Sequence, residues 1–124
     1  MKEITFPGTE EKVSEFCLGT MMFGGRCDAS EADKIINIAL ERDINFIDTA
    51  PMYCEGYTEE ILGKIIKGKR SKFFIATKFH KGLDSNNITE SLNESLKRLQ
   101  TDYVDLFLVH WPKVGMNPLE IMQT

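Results

Sequence analysis

The chain has 124 residues, with 15 Lys and Arg against 19 Asp and Glu, so its formal net charge is −4 at pH 7. Hydrophobic residues make up 42% and charged residues 27%, which is ordinary for a globular domain and excludes a disordered chain. The excess of acidic residues argues against nucleic-acid binding by bulk charge. No apolar run reaches the roughly 18 residues of a membrane helix, and the N-terminus lacks the apolar core of a signal peptide, so we expect a cytoplasmic protein.

The N-terminal third predicts a hairpin, a strand and a helix, in that order. Residues 1–15 alternate weakly around the turn signal Pro7-Gly8, which is typical of a small hairpin. The apolar run 16–20 indicates a buried strand, and a glycine-containing loop follows it. The spacing of Asp28 and Glu31 is that of a capping box, so a helix is expected to begin there. Its apolar residues follow at helical spacing: Ala32, Ile35, Ile36, Ala39 and Leu40.

The rest of the chain repeats a strand–helix unit. Three further apolar runs predict strands, at residues 45–47, 73–78 and 104–109. Helices are expected from about Thr58, ending before Gly68, and from Asn87 as the N-terminal cap. A last helix is expected to begin near Pro118.

This order of elements predicts an α/β fold with a parallel sheet. The strands are apolar nearly throughout rather than alternating, as parallel strands covered on both faces should be. The period of about 30 residues per unit fits a (β/α)8 barrel and an open doubly wound sheet equally well. In both folds the active site lies at the carboxyl ends of the strands.

Ionisable side chains stand at that end of three successive strands. Asp48, Lys78 and His110 follow or end their strands, and Tyr53 lies on the loop that leaves the same strand as Asp48. Each residue alone is readily explained as an ordinary strand-end or loop residue. Because neighbouring strands lie about 4.8 Å apart, the four side chains are expected to converge on one small volume.

Together these groups form a proton-donating device. A phenol is a poor acid at neutral pH, but an ammonium beside it stabilises the phenolate, and a carboxylate keeps that ammonium charged. Asp48 would hold Lys78, Lys78 would polarise Tyr53, and Tyr53 would deliver a proton. His110 would hydrogen-bond the same substrate oxygen. Such a site suits a carbonyl that becomes an alcohol, and the hydride this requires implies a nicotinamide cofactor.

The cysteines indicate neither a disulfide framework nor a metal centre. They number three, Cys17, Cys27 and Cys54, and their spacing matches no zinc pattern. The only histidines are His80 and His110. No metal is therefore expected.

Several stretches resemble the N-terminal half of the aldo/keto reductase family, of the bacterial type. The matching stretches are residues 18–24, 45–53, 58–63, 76–78 and 99–112. The family's catalytic tetrad of Asp, Tyr, Lys and His falls on Asp48, Tyr53, Lys78 and His110. The resemblance implies a (β/α)8 TIM barrel whose bottom is closed by the N-terminal hairpin. It also implies reduction of an aldehyde or ketone by NADPH without metal, with Tyr53 as the proton donor.

The resemblance also implies contacts to cofactor and substrate. Cofactor contacts on the nicotinamide side would come from Gly19, Thr20, Met21 and Asp48. Substrate contacts would come from His110 and Trp111. Asp43 and Cys54 stand where members of the family often carry glycine, so an altered turn is expected at both positions.

Length is the main departure from the family. A barrel takes about 250 residues, so we interpret residues 1–124 as the N-terminal part of a single barrel domain, without strands five to eight or the family's pyrophosphate and 2′-phosphate contacts. The chain alone is then expected to be inactive, to bind NADPH weakly and to self-associate through open strand edges. The alternatives are a non-catalytic module that senses nicotinamide or regulates a partner, and an inactive remnant. The intact tetrad favours the enzyme.

Overall fold

The computed structural model describes residues 1–123. The chain opens with an antiparallel hairpin of β1 (Glu3–Thr5) and β2 (Lys12–Ser14). A parallel four-stranded sheet follows, in the order β3 (Cys17–Gly19), β4 (Phe46–Asp48), β5 (Phe74–Phe79) and β6 (Leu106–Val109). The helices are α1 (Ala29–Glu41), α2 (Tyr57–Ile66), α3 (Ser85–Leu99) and the short α4 (Pro118–Met122), with 3₁₀ turns at Tyr53–Gly56 and Arg70–Lys72.

The sheet confirms the predicted α/β order. The parallel strands are neighbours in chain order, and a helix connects each strand to the next. The register pairs Gly19 with Asp48, Asp48 with Ala76 and Ala76 with Leu106. The carboxyl ends of β3 to β6 therefore meet along one rim. Within residues 1–123, no helix is both long and apolar enough to cross a membrane.

Two helix starts show how local chemistry sets the element boundaries. At α1 the capping box is present: Asp28 Oδ1 accepts from the Glu31 backbone N–H at 2.9 Å, and Glu31 Oε2 accepts from the Asp28 N–H at 3.0 Å. At α3 the expected cap, Asn87, is wrong. Asp84 caps this helix and accepts the Asn87 backbone N–H at 3.1 Å. An aspartate there gains from the helix dipole in addition to the hydrogen bond, which favours the earlier start.

The helices cover one face of the sheet. Alternate strand residues, among them Ile47 and Ile75, point into a core between the sheet and α1, α2 and α3. The other buried members of this core are Phe23, Ala32, Ile36, Ile61, Leu62, Ile66, Phe73 and Leu99. This packing fixes the strands, and hence the rim at their carboxyl ends.

The opposite face of the sheet is covered only at its N-terminal end. Phe6, from the hairpin turn, packs on Phe74 with ring centroids 4.9 Å apart and on Phe46 at 6.0 Å. Asn45 ties the hairpin to the sheet, because its Oδ1 accepts the Ser14 N–H at 2.7 Å. Further along, Leu108 is 36% exposed. In the described part of the chain, β3 and β6 are the two edges of the sheet.

Candidate active site

The predicted convergence of side chains is observed at the rim. Asp48 is the last residue of β4, Lys78 the next to last of β5, and His110 follows β6 directly. Tyr53 begins the 3₁₀ turn after β4. All four side chains come together at the carboxyl ends of the parallel strands.

The Lys78 ammonium lies at the centre of the cluster. Its Nζ atom is 2.6 Å from Asp48 Oδ1, 2.8 Å from the Thr49 carbonyl oxygen and 3.2 Å from the Tyr53 hydroxyl. These three acceptors match the three N–H donors of an ammonium group. The Tyr53 hydroxyl in turn donates to Asp48 Oδ2 at 3.3 Å. The arrangement holds a positive charge against a phenolic oxygen.

His110 closes the cluster on the side of β6. Its ring stands perpendicular to that of Tyr53, with centroids 5.9 Å apart, and lies parallel to the Trp111 indole at 5.3 Å. The Nδ1 atom is buried and has no hydrogen-bond partner within residues 1–123. Burial, followed by the charge of Lys78, lowers the pKa of His110 from its ordinary value of 6.5, against the opposing effect of Asp48. The imidazole is therefore neutral at pH 7 and can donate one hydrogen bond.

The residues expected to approach a cofactor or substrate surround an open space. Gly19 is exposed beside Asp48, and within residues 1–123 no heavy atom beyond Gly19 itself and its two chain neighbours lies within 4 Å of the position its Cβ would take. Met21 is 60% exposed and Trp111 is 64% exposed. Thr20 differs, because its side chain is fully buried and its hydroxyl donates to the Asp48 carbonyl at 2.9 Å.

A left-handed turn brings Tyr53 back over the rim. Cys54, Glu55 and Gly56 follow it with φ of 47°, 55° and 91°. Asp43 likewise has φ of 58°. At Asp43 and Cys54, where altered turns were predicted, both residues adopt the left-handed conformation that glycine favours. A residue with a Cβ atom carries some backbone strain in this conformation.

A buried ion pair that was not predicted from the sequence lies behind the rim. Glu59 of α2 is fully buried and accepts from Thr77 Oγ1 at 2.6 Å and from Arg98 Nε at 2.7 Å. It joins α2 and α3 to the strand that carries Lys78. The signal was available, because Glu59 precedes Leu62 and Ile66 by three and seven residues, on the apolar face of the helix.

Comparison with known proteins identifies the family of the chain. Residues 15–124 match the model of the Aldo/keto reductase family. The chain belongs to the aldo/keto reductase family. It is 40% identical to the aldo-keto reductase YhdN of Bacillus subtilis in an alignment that covers 90% of the chain. It is 42% identical to aflatoxin B1 aldehyde reductase member 2 of Rattus norvegicus in an alignment that covers 86% of the chain and 31% of the rat protein.

Solved members of the family share its fold. An aldo-keto reductase of Bacillus halodurans in its holo form is 32% identical, with a TM-score of 0.89 over 99% of the chain. One of Klebsiella pneumoniae, in complex with NADPH, is 30% identical, with a TM-score of 0.83. The four-stranded sheet is therefore part of a TIM barrel, and not of a doubly wound sheet. The chain spans 38% of the length of YhdN and 44% of each of these two solved chains.

Proposed function

We propose that this aldo/keto reductase reduces an aldehyde or ketone to an alcohol with NADPH, and that residues 1–124 form the N-terminal part of a single barrel domain. The observation that carries the proposal is the distance of 3.2 Å between Lys78 Nζ and the Tyr53 hydroxyl, with Asp48 2.6 Å from the same ammonium. The complex of the Klebsiella relative with NADPH and the name of the rat relative support the cofactor and the substrate class.

Each side chain has a distinct part in the proposed reaction. The substrate oxygen becomes more negative as the carbonyl is reduced, and the Tyr53 hydroxyl turns from Asp48 to donate its proton there. Lys78 stabilises the phenolate that this leaves, and Asp48 keeps Lys78 in place. The neutral His110 imidazole donates a hydrogen bond to the substrate oxygen, beside the exposed Trp111 ring.

The rim fits the nicotinamide end of NADPH. The Gly19 position leaves room for a flat ring beside Asp48, and Met21 borders the same opening. When bound, NADPH supplies the hydride for the carbonyl carbon. Thr20 would contribute to this site through Asp48 rather than through its own buried side chain. The sequence contains no glycine-rich loop that could bind the phosphates of the cofactor. The contacts proposed for these residues are therefore to the nicotinamide end of NADPH.

Tyr53→Phe tests the proposal in the protein as its gene encodes it. We expect turnover of model aldehydes, followed by loss of NADPH absorbance, to fall about 10²–10⁴-fold, since the positioned proton donor is gone. NADPH binding, followed by fluorescence, should change little. Tyr103→Phe is the matched control, because Tyr103 lies outside the cluster and is 42% exposed. Wild-type turnover in Tyr53→Phe would rule out the phenol as the acid.

A second candidate is a regulatory module that binds nicotinamide without turnover. The chain is 36% identical, over 88% of its length, to a probable voltage-gated potassium channel subunit beta of Arabidopsis thaliana. A wild-type protein that binds NADPH but oxidises it with no aldehyde or ketone would support this candidate. A protein that does neither would be an inactive remnant.

The isolated 124-residue chain is proposed to associate with itself and to lack measurable turnover. Its sheet has unpaired edges at β3 and β6 in the described residues, and one face is covered only by the hairpin. Open edges and apolar side chains of this kind favour association. Light scattering and an NADPH titration test this, and a stable monomer that binds NADPH tightly would contradict it.

A further inference from the structure

The peptide unit that joins Asp48 to Thr49 is held from both sides. Its carbonyl oxygen accepts from the Thr20 backbone N–H at 3.0 Å and from Thr20 Oγ1 at 2.9 Å. Its N–H donates to the Ala76 carbonyl at 2.9 Å. The two backbone hydrogen bonds extend the pairing of β3 with β4 and of β4 with β5. The hydrogen bond from the hydroxyl is additional to this pairing, because it depends on the side chain at position 20.

The hydroxyl of Thr20 is committed to this bond. Thr20 is fully buried, so its Oγ1 is unavailable to a ligand at the rim. A carbonyl oxygen has two lone pairs, and the two donors of Thr20 saturate the Asp48 carbonyl. The restraint acts where the chain leaves the sheet for the loop that carries Tyr53.

Two of the three acceptors of Lys78 belong to the two residues that this peptide unit joins. Asp48 Oδ1 is on the side chain of the first residue and the carbonyl oxygen of Thr49 is on the second, at 2.6 and 2.8 Å from Nζ. A shift of the Asp48–Thr49 peptide would therefore displace both residues that carry these acceptors. Lys78 would then move relative to the Tyr53 hydroxyl, and displacements of about 1 Å in such sites lower rates substantially.

We propose that Thr20 is a positioning residue, whose buried hydroxyl fixes the Asp48–Thr49 peptide and thereby holds Lys78 against Tyr53. Its effect on catalysis rests on the proposed function, whereas its effect on the contact between Lys78 and the Tyr53 hydroxyl does not. The ionisable groups around the Tyr53 hydroxyl are Asp48 from β4, Lys78 from β5 and His110 after β6.

The test compares Thr20→Val with Thr58→Val. Thr58 is also fully buried, and its hydroxyl donates to a distant backbone carbonyl, that of Phe23, at 2.7 Å. The two substitutions therefore remove the same kind of bond, and each should lower Tm by about 4 °C. The readout is the ¹³Cζ chemical shift of Tyr53 in the cofactor-free protein at pH 7, which reports the electrostatic surroundings of the phenolic oxygen and is assigned with Tyr53→Phe.

Thr20→Val should change the ¹³Cζ shift of Tyr53, because the Lys78 ammonium moves relative to the phenolic oxygen that now lies 3.2 Å away. Thr58→Val should leave the shift unchanged, and Thr20→Ser should restore it. If Thr20→Val does not fold, Thr20→Ser and Thr20→Ala differ only in the hydroxyl and give the same comparison. A wild-type shift in Thr20→Val, or equal shifts in Thr20→Ser and Thr20→Ala, would overturn the proposal.

Turnover separates this proposal from the proposed function. In an active protein, Thr20→Val should lower kcat about tenfold and leave KM nearly unchanged, because the reacting groups are misplaced while the substrate contacts remain. If the wild type has no reductase activity while the ¹³Cζ shift changes in Thr20→Val, only the proposed function fails. If the wild type is active and the ¹³Cζ shift stays, only the role of Thr20 fails.

Discussion

Removal of the Arg98 guanidinium should destabilise the fold more than any loss of a surface charge. Glu59 is fully buried, and Arg98→Leu would leave its carboxylate with Thr77 as its remaining hydrogen-bond donor. Breaking a buried ion pair costs about 3–5 kcal/mol. The Arg98 side chain is 22% exposed, so water can reach the site and the lower figure applies. Urea unfolding should show the midpoint lowered by about 2 M, at a slope of about 1.5 kcal/mol per M.

A double variant provides a second check. A Glu59→Gln/Arg98→Leu double variant should recover most of the loss, because no charge is buried.

The exposed pair Lys81–Glu94 is the matched control. Its Nζ–Oε2 distance is 3.0 Å, but the two side chains are 54% and 40% exposed. Lys81→Met should cost less than about 1 kcal/mol. The reasoning would be refuted if Arg98→Leu cost no more than this control, or if the double variant were as unstable as the single one.

Three further predictions follow from positions with close contacts, strain or a shifted pKa. Gly63→Ala should lower the free energy of unfolding by about 1–3 kcal/mol, and with it Tm, because the new Cβ would lie 2.6 Å from the Arg98 carbonyl oxygen of α3. An unchanged Tm would show that α2 and α3 can move apart without cost. Cys54→Gly should raise Tm through relief of up to about 1 kcal/mol of left-handed strain, and a lower Tm would contradict this. The pKa of His110 is lowered chiefly by burial, so an unfolded chain binds this proton first and stability should fall as the pH drops below about 6.5. His110→Gln should reduce that loss in urea titrations, and an identical pH dependence in both proteins would refute it.

The strand order and the rim were predictable because both depend on short-range patterns. Each apolar run that ends in an ionisable residue marks the carboxyl end of a strand, and parallel pairing brings neighbouring ends together. The start of α3 was less predictable. Asp84 and Asn87 are both good N-cap residues, and spacing alone does not decide which of them caps α3. Asp84 can accept the same kind of hydrogen bond as Asn87, and its negative charge also interacts favourably with the helix dipole.

The partners in contacts between distant elements could not be predicted from the sequence. Helical spacing places Glu59 on the apolar face of α2, but its partner Arg98 lies 39 residues further along the chain and is brought to it by the packing of α3. The hydroxyl of Thr20 is similar, since its acceptor belongs to a residue 28 positions away. The resemblance placed Thr20 beside a cofactor, and the structure places its side chain under Asp48.

The rim cluster was predictable because one short segment carries most of it. Asp48, Thr49 and Tyr53 lie within six consecutive residues and provide every acceptor of the Lys78 ammonium, so that a single strand pairing, β4 with β5, completes the arrangement. A motif read along the chain can describe such a segment, because its geometry is mostly local. The distance between Lys78 Nζ and the Tyr53 hydroxyl could not be predicted in the same way. It depends on how firmly the segment is held by its neighbours, and therefore on Thr20 from the preceding strand.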